Sequence, residues 1–136
     1  MPNDATEIAW LDAPEEHDYP AAAHYLSLLA EDAFIEAIVA RLKKAKTTYH
    51  KAKDILRASR LPVLERDNFH VAADLEKIAN SIPLSPILLV RGELQEFAPL
   101  VVADGYHRIC ASYYTDENAD IPCRLVSAPS GRSDEK

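Results

Sequence analysis

The stretch Pro99-Leu-Val-Val-Ala-Asp-Gly-Tyr-His-Arg-Ile-Cys-Ala-Ser-Tyr113 decides the reading of this chain. Leu100, Val101 and Val102 form a short apolar run rich in β-branched residues, the pattern of a buried strand. Asp104 and Gly105 break that run. Ile109 and Ala111 to Tyr113 then supply apolar positions at helical spacing. A strand therefore ends in a tight turn, and the turn opens a helix whose first turn carries Tyr106, His107 and Arg108. A helix start presents unpaired backbone N–H groups and the positive end of the helix dipole. His and Arg beside it make a site for phosphate or carboxylate. Gly105 lets an anion approach the backbone closely, because no side chain intervenes.

The flanking elements extend this pattern. Ser85 to Gly92 contains the strand-like run Ile87 to Val90, fixed in place by Pro83 and Pro86. Ile121 to Val126 reads as a last strand after a turn at Asp116 to Asp120. Val71 to Ala79 has helical periodicity, and Leu61 to Leu64 reads as a short strand leading to a loop at Asp67 and Asn68. Upstream, Asp18 is a candidate cap for a helix over Ala21 to Ala30, with Pro20 near its first turn. Phe34, Ile35, Ile38, Val39, Leu42, Ala45, Tyr49, Ala52, Ile55 and Leu56 then predict one long amphipathic helix to about Ser59, bent near Thr47 and Thr48. Trp10 and Leu11 are expected to pin the N-terminal arm to the body by apolar burial. Strands alternating with short helices indicate an α/β or α+β class.

This combination resembles the ParB/sulfiredoxin superfamily. Gly105-Tyr106-His107-Arg108 after a strand is similar to the Gly-Cys-His-Arg of sulfiredoxins and to the Asp-Gly-His-His-Arg of an ADP-dependent serine kinase group. Ser85 to Gly92 resembles the family's Pro-Ile-x-Val strand, Ile121 to Val126 its closing strand, and Asp74 to Ala79 its short Leu-x-x-Ile helix. The resemblance covers residues 61–127. It implies an α+β fold, a small mixed sheet with packed helices, to which residues 1–60 add an N-terminal arm and helical extension and 128–136 a frayed tail, all in one globular unit. The added helices either cover the sheet or make a homodimer surface. The resemblance also implies a nucleotide or phosphorylated small molecule as partner, with ATP, ADP or CTP and Mg²⁺ as the expected cofactors, and phosphoryl transfer or hydrolysis as the chemistry.

Within that picture, Gly105, Tyr106, His107 and Arg108 are the expected ligand-binding residues. Asn68 and His70 join them from the loop where relatives place substrate-binding groups. Asp104 and His107 are the catalytic candidates, Asp104 in a base or metal-bridging role. The simpler alternatives are a helix N-cap for Asp104, a salt bridge for Arg108, a structural histidine for His107 and loop polarity for Asn68 and His70. Tyr106 stands where sulfiredoxin has its catalytic Cys, and a phenol cannot form the sulfur intermediates of that reaction. Sulfinic acid reductase activity is therefore excluded. The residues after Val126 are short and polar, which disfavours a partition-type DNA clamp.

Composition narrows the classes further. The net charge is −7, which argues against nucleic-acid binding. No Lys or Arg precedes Arg41, but Arg41, Lys43, Lys44, Lys46, Lys51, Lys53, Arg57 and Arg60 then cluster, with Asp54 the single acid among them. A basic helix over residues 41–60 is thus the basis of an alternative function, a non-catalytic regulatory module binding nucleic acid or a protein partner; the plainer reading is a solvated face. No apolar run approaches a membrane span, and the first residues lack the pattern of a secretory signal, so a cytoplasmic location is expected. Cys110 and Cys123 are the two cysteines, expected as reduced, buried thiols, and no metal-ligand spacing is present.

Overall fold

The structure is a computed structural model, and it describes residues 7–92 and 98–128. The order of elements is α1 (Asp18–Leu26), α2 (Asp32–Lys44), β1 (Thr47–Lys51), α3 (Ala52–Ser59), α4 (Phe69–Ala79), β2 (Ile87–Arg91), β3 (Val101–Asp104), α5 (Tyr106–Thr115) and β4 (Asp120–Ser127). This is an α+β fold, one of the two classes that the alternation of periodicities left open. The sheet is four-stranded and mixed, in the order β1-β4-β2-β3. β4 runs parallel to β2 and antiparallel to β1, while β2 and β3 pair antiparallel with an irregularity between Leu88 and Leu89.

In the inner strand β2, Ile87 to Val90 are all buried because helices cover both faces, and Arg91 at its end is exposed. Leu88 and Val90 face α1 and α2, where Ala22, Leu26, Ile35, Ile38 and Leu42 meet them together with Ala103 and Val126. Ile87 and Leu89 face the opposite way, into a core with Ile55 and Leu56 of α3, Ile109 of α5, and Ile121 and Cys123 of β4. A third cluster seats α4 on α5 through Val71, Ile78, Cys110 and Ala111. The N-terminal helices α1 and α2 thus cover one face of the sheet. Trp10 lies in a bridge with Leu84, and the Leu11 N–H donates to the Leu84 carbonyl at 2.8 Å, so the arm is tied down as expected.

Three expectations need correction. The long helix to Ser59 does not form: Thr47 to Lys51 is an edge strand paired with β4, and it separates α2 from α3. β-branched Thr47 and Thr48 and aromatic Tyr49 favour that pleated edge over a helix. Consequently there is no basic helix over 41–60; its cations are divided between α2, the connection to β1, the edge strand β1, and α3 with its C-cap Arg60, and α2 and α3 pack on opposite faces of the sheet. Leu61 to Leu64 is an extended connection without strand pairing, and Pro62 lacks the N–H a ladder needs. Helix α1 ends at Leu26 rather than Ala30, with His17 as its N-cap residue and Asp18 as its first residue. Among the described residues, no helix is long and apolar enough to cross a membrane. Most of the expected tail, from residue 129 on, lies outside the described residues.

Candidate functional site

The strand–turn–helix predicted from residues 99–113 is present. β3 ends at Asp104, Gly105 turns with φ of 115°, and α5 begins at Tyr106. A Cβ at position 105 would overlap the buried Ile87 side chain and meet Arg108 Nη2 at 3.0 Å, so glycine is demanded by both space and dihedral. Among the described residues, no side chain caps the start of α5. Its first turn opens into a cavity of about 360 Å³. His107 and Arg108 line this cavity from α5, His70, Asp74 and Lys77 from α4, and Glu15, His17 and Asp18 from the arm and the start of α1.

Arg108 is held by carboxylates. Its Nη2 donates to Asp104 Oδ2 at 2.6 Å, its Nη1 donates to the Ser85 carbonyl at 2.9 Å, and Asp18 Oδ2 lies 3.9 Å away. Asp18 itself is buried, and accepts from the Ser85 hydroxyl and from the Glu15 N–H. The salt bridge, rather than a free phosphate-reading guanidinium, is therefore the arrangement of Arg108. Asp104 is not the N-cap: its carboxylate turns to Arg108, and Gly105 occupies the cap position. Burial pushes the Asp104 carboxyl above its ordinary value; Arg108 opposes that shift and Asp18 adds to it.

The imidazoles of His70 and His107 come together, with ring centroids 4.7 Å apart. Burial lowers the His107 pKa, and His70 lowers it further, while Asp74 acts the other way. His107 is thus held toward its neutral form. Asp74 is shifted upward by burial, against the pull of Lys77, Arg108, His107 and His70.

Two expected site residues have other roles. Asn68 is the N-cap of α4: its Oδ1 accepts from the N–H groups of His70 and Val71 at 3.0 and 3.1 Å. The Tyr106 hydroxyl donates to the Pro62 carbonyl at 2.6 Å, and its ring packs against two of the core clusters, so it anchors the 61–64 segment. Asp18, Glu15, Asp74 and Lys77 were not among the sequence candidates. Asp74 and Lys77 follow His70 at one-turn spacing on α4, a signal the sequence carried; Glu15 and Asp18 are brought in only by tertiary packing. Glu15, His17 and Asp18 place ligand atoms within 4.8 Å of one another, the one such trio among the described residues. Cys110 and Cys123 are free and buried, as expected, and burial pushes the Cys123 thiol up to about 12.

Fold and site together define a small α+β protein with a polar cavity at a strand–turn–helix start. Comparison with protein-family models, curated proteins and solved structures gave no match.

Proposed function

We propose that this protein binds a nucleotide or another phosphorylated small molecule at the start of α5, in a site built for Mg²⁺-assisted phosphoryl transfer or hydrolysis. The observation that carries the reading is the uncapped first turn of α5 opening into a cavity that Lys77, His70 and His107 also line. Backbone N–H groups at a helix start and nearby cationic side chains are the chemistry that receives a phosphate. The similarity of Gly105-Tyr106-His107-Arg108 to nucleotide-binding sequences supports the same ligand class. In this reading Arg108 has an indirect part. It holds Asp104 beside the turn and leaves the first-turn N–H groups, Lys77 and the two histidines to meet the ligand. His107, kept toward its neutral form, is the group suited to accept a proton from an attacking hydroxyl or water. The residues also suit a Mg²⁺ ion, which Glu15 and Asp18 would hold. Bound there, the ion would neutralise phosphate charge.

The test is a thermal-shift panel of ATP, ADP, CTP and inorganic phosphate, each with and without Mg²⁺. A ligand present at a hundredfold excess over its Kd adds about 2.7 kcal/mol of stability, a rise in Tm that is easily read. The rise should vanish in Lys77→Ala and His107→Ala. A Tm unmoved across the whole panel contradicts the proposal, as does an undiminished rise in both variants.

A further inference from the structure

We propose a second site, for a small organic ammonium ion, in the cavity between the N-terminal arm, β1 and the turn joining α5 to β4. This cavity is about 680 Å³, and its wall includes Trp10 and Tyr49 together with the carboxylates of Glu7, Asp116 and Asp120. Among the described residues, no Lys or Arg lines it. Such a volume is of the size that holds a small molecule.

Three observations select the ligand. First, the negative end of a helix points here. Asp116 is the C-cap residue of α5, and the last turn of α5 contains no basic side chain. An acid at a helix C-terminus is electrostatically disfavoured, and a cation bound beside it reverses the sign of that interaction. Second, the aromatic side chains suit an organic cation. Tyr49 is 65 % exposed on the edge strand β1, a large ring left in water, and Trp10, half-buried, packs against two core clusters while also lining the cavity. Ammonium groups are attracted to the faces of Trp and Tyr rings. Third, the carboxylates surround the space without converging. Only Glu15, His17 and Asp18 bring ligand atoms within 4.8 Å of one another among the described residues, so Glu7, Asp116 and Asp120 do not form a chelating set. A bare metal ion needs such a set, whereas a bulky organic cation does not. Lys51 approaches Asp120 at 3.8 Å from outside the cavity, and with both side chains substantially exposed that pair is weak enough to be displaced.

Trp10 is the single tryptophan of the chain, so its emission reports on this cavity directly. The experiment titrates the full chain with tetramethylammonium chloride and with choline chloride, against matched sodium chloride and against 3,3-dimethyl-1-butanol, the uncharged counterpart of choline. The expected result is a saturable change in Trp10 emission with both ammonium ions and none with the two controls. Asp116→Asn with Asp120→Asn should weaken the apparent affinity at least tenfold; the asparagine at 116 keeps the oxygen that accepts from the Asn118 N–H at 2.9 Å, so the turn is preserved. Tyr49→Leu, at an exposed edge position, should weaken it as well. Absence of a saturable change in the unmodified protein overturns the proposal, and so does an equal response to the neutral alcohol. An unchanged affinity in the double variant has the same force.

Discussion

Arg108 divides its guanidinium between Asp104, the Ser85 carbonyl and the buried Asp18. Its side chain is 14 % exposed, so its removal leaves two partly desolvated carboxylates without their cation. Arg108→Ala should therefore cost stability on the order of 2–3 kcal/mol, read as a lower urea midpoint. A variant as stable as the parent would remove the structural role. His107 gives a second test at this scale. Burial, and then His70, hold its pKa below the ordinary 6.5 in the folded protein. The folded state then binds fewer protons than the unfolded chain between those two values, so this group adds stability that is lost as pH falls below about 6.5. Ring-proton NMR should show His107 titrating below 6.5, and His70→Ala should move that midpoint upward. A midpoint unmoved by His70→Ala would show that the two rings do not interact electrically.

At the scale of elements, the β3–Gly105–α5 unit depends on one dihedral. A side chain at 105 meets Ile87 in the inner strand β2, and φ of 115° is strained for any residue with a Cβ. Gly105→Ala should destabilise by about 1–3 kcal/mol, measured by chemical denaturation; a cost below the measurement error would mean the turn can relax. This unit was legible in the sequence, as were β2, α4 and β4, because apolar runs or helical spacing coincide there with Pro, Gly and Asp breaks. In the 31–59 region the helical spacing of α2 and α3 was legible, but the strand between them was not. Ala45, Tyr49, Ala52, Ile55 and Leu56 satisfy helical spacing, and no Gly or Pro lies between Lys44 and Ala52 to mark a change of element. What makes Thr47 to Lys51 a strand is its antiparallel pairing with β4, from Thr47↔Arg124 through Lys51↔Asp120, a contact made far along the chain. The same holds for the site. His107, Arg108 and His70 were found from local pattern. Glu15 and Asp18 join through packing of the arm against Ser85, which periodicity does not encode, and the role of Asn68 as a cap was hidden by its position in a polar loop.

At the scale of the whole molecule, residues before 61 are part of the core. α1 and α2 cover one face of β2, with Leu42 fully buried, and β1 occupies one edge of the sheet. A fragment of residues 61–136 would expose Leu88, Val90, Ala103 and Val126 and leave an unpaired edge on β4. It should show no cooperative unfolding transition by circular dichroism; a sharp transition would make the N-terminal segment a dispensable addition. The cavity at α5 is likewise assembled from both halves of the chain, since Glu15 and Asp18 line it together with His70, Lys77 and His107. The measurement that addresses the phosphate site most directly is a two-dimensional amide NMR titration of the full chain with ATP, ADP and CTP in the presence of Mg²⁺. Saturable shifts are expected at the amides of Gly105, Tyr106 and His107, with smaller ones at His70 and Lys77. A spectrum unchanged at those residues, or shifts confined to another surface, would contradict the account.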